Sequence, residues 1–107
     1  MRDLFRPTVY ADVNDALYVL VTEMQRCLGT HLTGVYLSGS LALGDFDSGS
    51  SDLDLLAVTS DPPSGEEIET LRVMHADFEA SASPWAGRVE VVYIDRKTLR
   101  DSVIDPF

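Results

Sequence analysis

The sequence contains a single cysteine, Cys27, among its 107 residues. One cysteine cannot form an internal disulfide, and this favours a reducing, cytoplasmic compartment. No apolar run is long enough to cross a bilayer, and the first residues lack the apolar core that signal peptides carry. We therefore expect a cytoplasmic protein with no membrane segment.

Positive charge is also scarce. Lysine and arginine total 8 against 18 aspartates and glutamates, which gives a formal net charge of -10. Binding to nucleic acid needs lysine and arginine to displace counterions, so this balance argues against a nucleic-acid partner. The charge suits a divalent metal or a polycationic small molecule, but an acidic surface that only maintains solubility has the same composition.

Hydrophobic spacing predicts the helices and strands. Helical spacing covers residues 13–28, with Asp12 as the N-cap and Gly29 as the C-terminal stop. A capping box of Ser64 and Glu67 begins a second helix that continues to residue 78. Runs of β-forming residues predict three strands, at residues 34–38, 52–58 and 88–94. A short helical turn is expected at residues 95–102.

The length and the order of these elements predict the fold class. A chain of 107 residues is enough for one domain, which we place at residues 1–107. The order helix, strand, strand, helix, strand predicts an α/β (α+β) fold, in which helices pack on a small mixed β-sheet.

Two aspartates open the second predicted strand. Side chains alternate along a strand, so Asp52 and Asp54 point from one face while Leu53 and Leu55 point into the core. Neighbouring carboxylates repel each other unless a cation lies between them, and Mg²⁺ prefers such oxygen ligands. The pair therefore indicates a metal site, with a solvated sheet face as the alternative.

Three further residues strengthen the metal hypothesis. Gly39 and Ser40 leave the first strand and enter a predicted short helix, where exposed amides and a hydroxyl can hold phosphate. On the third strand, Glu90 shares a face with Val92 and Ile94, a costly position for a charge unless it faces a site. Glu90 is a candidate metal ligand or general base, and a solvated edge glutamate is the alternative.

These motifs resemble a known superfamily. The segment LSGS at residues 37–40, followed by SDLDLL at residues 51–56, is similar to the signature of the DNA polymerase β-type nucleotidyltransferases. The sequence of residues 34–46, GVYLSGSLALGDF, resembles most closely that of the aminoglycoside adenylyltransferases that act on streptomycin and spectinomycin. The resemblance covers residues 34–107.

The resemblance implies a role for each motif residue. Gly39 and Ser40 would hold the β- and γ-phosphates of ATP, and Ser51 would also contact phosphate. Asp52 and Asp54 would bind two Mg²⁺ ions, and Glu90 would be the third ligand or the base. The reaction would move AMP from ATP to an acceptor hydroxyl and release pyrophosphate.

The resemblance also leaves the acceptor open. Ser38 stands where the resistance enzymes often carry histidine, and the chain ends where their helical domain would begin. The protein is therefore expected to be a fragment that lacks a C-terminal helical domain, to use a helical partner chain, or to resemble minimal nucleotidyltransferases that adenylylate a partner protein as antitoxins. A catalytically silent interaction domain is the alternative from another class.

Several other residues have structural interpretations. Cys27 lies on the apolar stripe of the first helix and is expected in the core, and His31 and His75 are expected on surfaces or helix faces. Trp85 is predicted to cover an edge of the core, with stacking on a nucleotide base as the alternative. Arg88 belongs to a group of basic residues that either neutralise triphosphate or pair with nearby carboxylates.

Overall fold

The computed structural model describes residues 7–8, 10–38 and 52–104, with the side chains of residues 38 and 102–104 excepted. These residues form three α-helices, one 3₁₀ turn and three strands. In chain order they are α1 (Ala11–Leu28), the 3₁₀ turn (Gly29–His31), β1 (Leu32–Ser38), β2 (Leu53–Thr59), α2 (Gly65–Glu79), β3 (Val89–Asp95) and α3 (Arg96–Ile104). No helix within these ranges is long and apolar enough to cross a membrane.

The three strands form one mixed sheet in the order β1-β2-β3. β1 runs antiparallel to β2, and β3 runs parallel to it. A parallel pair needs a crossover between its strands, and α2 supplies it. The predicted α+β class, a small mixed sheet with helices packed on it, is confirmed.

The start of α1 differs from the prediction. Tyr10, not Asp12, is the N-cap, and its side chain makes no capping hydrogen bond. Asp12 lies in the first turn, where a negative charge interacts favourably with the helix N-terminus. Hydrogen bonds between Thr8 and Asn14 stabilise the start of α1 instead. The Thr8 hydroxyl donates to Asn14 Oδ1 at 2.7 Å, and Asn14 Nδ2 donates to the Thr8 carbonyl at 2.9 Å.

The start of α2 confirms the predicted capping box. Glu67 N donates to Ser64 Oγ at 3.1 Å, and Ser64 N donates to Glu67 Oε1 at 3.0 Å. The hydrogen bond from the Ser64 backbone, followed by that from His31, keeps the pKa of Glu67 below its usual value. The final helix is also longer than the predicted turn, and Asp95 caps it by accepting from the Thr98 amide at 3.0 Å.

One core joins α1 and α2 to a single face of the sheet. Leu53 and Leu55 of β2 lie in it, as their alternation with the aspartates predicted. Its other members come mainly from the two helices: Val13, Ala16, Leu17, Leu20, Met24, Leu28, Ala57, Leu71, Met74, Phe78 and Trp85. Because the helices fill this face, Asp54 and Glu90, which alternate with core residues along β2 and β3, lie on the other face.

Candidate active site

The register of the sheet brings three chain segments together. Asp54 of β2 is the Cα partner of Glu90 on β3, and on its other side it is the partner of Ser38 on β1. Adjacent strands lie about 4.8 Å apart, so the backbones of these three residues form one row across the sheet. The last residue of β1 therefore lies directly beside the predicted carboxylate site.

Both predicted aspartates are on the face opposite the core. Asp54 is partly buried, whereas Asp52, immediately before β2, and Glu90 are exposed. Partner residues in a parallel ladder point to the same side, so Glu90 shares this face with Asp54. We call it the carboxylate face, which carries Tyr36, Asp54, Glu90 and Val92.

The exposure of Glu90 corrects one expectation from the sequence. The pattern of β3 predicts that Glu90 lies on an apolar, buried strand face, where a charge is costly. Val92 on the same face is 50% exposed, and the buried side of β3 is the side of Val91. Glu90 is therefore not a buried charge that needs a partner. It is a candidate metal ligand or general base because it lies beside Asp54.

Arg88 brings positive charge to the same end of the sheet. Its Nε lies 3.9 Å from Asp52 Oδ1, a charge contact longer than a hydrogen bond. Its guanidinium carbon lies 4.3 Å from the ring centroid of Trp85, which is within the range of a cation–π interaction. The Arg88 carbonyl also accepts from Leu53 N at 2.8 Å, which ties the entry of β3 to β2. Trp85 is buried in the core, so its predicted role as a core cover is confirmed.

The chemistry of these side chains fits a hard divalent cation. Mg²⁺ takes carboxylate oxygens and retains positions for phosphate oxygens. Asp52, Asp54 and Glu90 supply only such ligands, although in the described part of the chain no three acidic, histidine or cysteine side chains are gathered into a metal-binding group. The predicted phosphate-binding residues, Gly39, Ser40 and Ser51, lie outside the described residues.

An apolar row adjoins the carboxylates, and sequence reasoning did not identify it. Tyr36, Leu56 and Val92 are partners across the three strands, two positions along from the row of Asp54. Tyr36 is 57% exposed. A Cβ on Gly34 would lie 2.9 Å from the Tyr36 hydroxyl, so the ring extends over this glycine. The sequence did contain a signal for this row, because Tyr36 alternates with the core residues of β1 and so must lie on the face opposite the core.

The two histidines and the cysteine have structural contacts. His31 Nδ1 lies 2.9 Å from Glu67 Oε2 on the surface, and His75 Nε2 lies 2.6 Å from the Tyr93 hydroxyl. Cys27 is partly buried against the core, and this burial raises the pKa of its thiol. These positions agree with the interpretations made from the sequence.

The sheet carries acidic residues on two adjacent strands, next to the end of the third. Such an arrangement is suited to metal-assisted transfer at phosphorus. Comparison with known families agrees with this chemistry. Residues 19–103 match the family model described as the nucleotidyltransferase domain. The chain belongs to this family, within the DNA polymerase β-type superfamily, and the general activity that membership supports is nucleotidyl transfer. Comparison with curated proteins gave no match.

Proposed function

We propose that this protein is a Mg²⁺-dependent adenylyltransferase that moves AMP from ATP to a hydroxyl group of a small molecule, such as an aminoglycoside. The observation that carries the proposal is the row of Ser38, Asp54 and Glu90, with Asp52 at its side. Two acidic strands and the end of β1 meet there. Gly39 and Ser40 follow Ser38 directly in sequence, so a phosphate-binding turn would begin beside the metal ligands.

Each acidic side chain has a role in this scheme. Asp52 and Asp54 would hold two Mg²⁺ ions, with Glu90 as third ligand or general base. The metal ions would offset the charge of the triphosphate and of the reacting oxygens. In the transfer, the acceptor oxygen bonds to the α-phosphorus, the bond from that phosphorus to pyrophosphate breaks, and the acceptor proton passes to Glu90.

Neighbouring residues on this face would orient the substrates. Arg88, stacked on Trp85 and near Asp52, would pair with phosphate oxygens, and such a planar, preorganised guanidinium suits this task. The apolar row of Tyr36 and Val92 would contact the rings of the nucleoside or the acceptor. The net charge of -10 would attract a polycationic antibiotic at long range, an effect that salt weakens.

A metal-binding experiment tests the aspartates. We expect calorimetry to detect ATP binding that requires Mg²⁺, and we expect Asp54→Asn to weaken it by at least about tenfold, because even outer residues of metal sites have effects of this size. Asp61→Asn is the matched control, since Asp61 is an exposed aspartate beyond the opposite end of β2. Equal affinities in the wild type and in both Asp52→Asn and Asp54→Asn would rule out the metal site.

Glu90 is tested by the transfer step rather than by binding. With ATP labelled at the α-phosphate and streptomycin or spectinomycin as acceptor, Glu90→Gln should bind nucleotide nearly normally but transfer it about a hundredfold more slowly, the scale of lost acid–base catalysis. The same assay with a helical protein in place of the antibiotic tests a protein acceptor. Label on that protein and none on either antibiotic would contradict the small-molecule acceptor.

A further inference from the structure

A groove lies between α1 and α2, and the described residues that line it include none from the sheet. Its volume is about 460 Å³, and the turn after α2 closes one side of it. Apolar side chains form its floor: Ala16, Val19, Leu20, Met74, Phe78 and Pro84. Val19 is 40% exposed, which is high for a large aliphatic residue on a helix that otherwise packs into a core.

The rim of the groove is acidic. Asp12, Asp15 and Glu23 of α1 line it, together with Asp77 of α2, and its lining includes no lysine or arginine among the described residues. Arg26, just outside the lining, pairs with Glu23 at 2.9 Å and is close enough to Asp77 for that charge to help raise its pKa. Even with this pair, the described residues that line the groove carry more negative than positive charge.

The shape and charge of this groove select one kind of occupant. A cleft between two packed helices is where a third helix places its ridges, at 8–10 Å between axes. From Asp12 to Glu23 the groove follows α1 for three turns, which is about 16 Å at the rise of an α-helix. A helix with an apolar face and flanking lysines or arginines would bury Val19 and place its cations at the carboxylates.

Other occupants fit less well. A second copy of this chain, which also carries a net charge of -10, would bring like charges to the rim. A small polyamine would satisfy the carboxylates but leave the apolar floor exposed to water. We propose that this acidic groove is the docking site for a basic amphipathic α-helix of a partner protein. The groove lies across the core from the carboxylate face, so docking and nucleotidyl transfer use separate surfaces.

A designed peptide tests the groove while the partner itself is unidentified. The probe is a synthetic helix of about 12 residues, matched to the length of the groove, with leucines on one face and lysines on the other. A scrambled peptide of the same composition has no apolar face and is the first control. Titration into ¹⁵N-labelled protein, followed by amide NMR, should shift residues of α1 and α2 and not those of the carboxylate face.

Substitutions then distinguish binding of the peptide in the groove from general attraction to an acidic protein. Asp77→Lys and Val19→Glu should each lower the affinity for the peptide by at least about tenfold, as expected for a central contact. Glu69→Lys is the matched control, because it makes the same charge change on the same helix, outside the groove, and should have little effect. Thermal unfolding of each variant verifies that the fold persists.

Three results would overturn the proposal. These are equal weakening by Asp77→Lys and Glu69→Lys, equal binding of the scrambled peptide, and complete displacement of the probe by spermine at matched total charge. The first two would indicate non-specific attraction to an acidic protein, and the third would indicate a site for small cations. Because none of these measurements involves ATP, failure here leaves the proposed transfer activity unaffected.

Discussion

Burial gives the two histidines different environments. His75 is a half-buried residue of α2, and its ring lies edge-to-face against Tyr93 at 5.7 Å between centroids. Burial lowers the pKa of His75, against the opposing charge of Glu79, and burial also raises the pKa of Tyr93. The folded protein therefore favours a neutral His75. His31, in contrast, is exposed beside Glu67.

This difference predicts how stability depends on pH. The pKa of His75 in the folded protein is below its unfolded value of 6.5, so when the pH falls below 6.5 the unfolded chain takes up a proton that the folded chain does not. The free energy of unfolding should therefore decrease in that window. Urea unfolding at about pH 7.5 and about pH 5.5 measures the change.

The variants compared are His75→Gln and His31→Gln. The first should lose less stability between the two pH values than the wild type does, whatever its stability at either one. His31→Gln should retain the loss seen in the wild type, because the half-buried imidazole of His75 is still present. An identical pH dependence in the wild type and His75→Gln would contradict a neutral, half-buried His75.

The end of α1 depends on a glycine backbone. Gly29 has φ 57 and ψ -132, a conformation that residues with a Cβ rarely adopt, and its N–H donates to the Gln25 carbonyl. Gly65, in the first turn of α2, has no positive φ. A Cβ added at either position would have no atom within 4 Å, so the two glycines differ in backbone strain and not in crowding.

We therefore predict opposite effects for the same substitution at these two helix ends. Gly29→Ala should lower the free energy of unfolding by about 1–3 kcal/mol, the usual cost of a strained backbone conformation. Gly65→Ala should be neutral or stabilising by up to about 1 kcal/mol, because alanine favours the helix. Denaturant unfolding of both variants measures the difference, and equal effects would show that the turn after α1 relaxes without cost.

The charge of the whole molecule sets its response to salt. With 18 acidic and 8 basic residues, the folded chain carries a self-repulsion that is larger in the compact state than in the extended one. Increasing NaCl from about 20 mM to about 200 mM shortens the Debye length several-fold and should raise the melting temperature. KCl should have the same effect at equal ionic strength, since screening does not depend on the identity of the monovalent cation. A decrease in melting temperature would mean that attractive ion pairs outweigh the repulsion.

The sequence alone predicted most of the local structure. The spacing of apolar residues indicated α1, α2 and the strands, and the alternation around Asp52 and Asp54 correctly separated them from Leu53 and Leu55. The capping box at Ser64 was also correct. These features depend on residues a few positions apart, whose geometry is set by the helix and strand periods. The N-cap at Asp12 was wrong because Thr8 and Asn14 provide a competing set of hydrogen bonds.

The roles of Gly39, Ser40 and Ser51 remain predictions from sequence. Tertiary structure decided which distant residues meet. Only the parallel pairing of β2 with β3 makes Asp54 and Glu90 neighbours, and only the antiparallel return of β1 brings Ser38 beside them. The stacking of Arg88 on Trp85 and the acidic groove between α1 and α2 likewise arise from packing. Strand order and register are set by the total burial of the core rather than by any local pattern, and for that reason they are not readable from neighbouring residues.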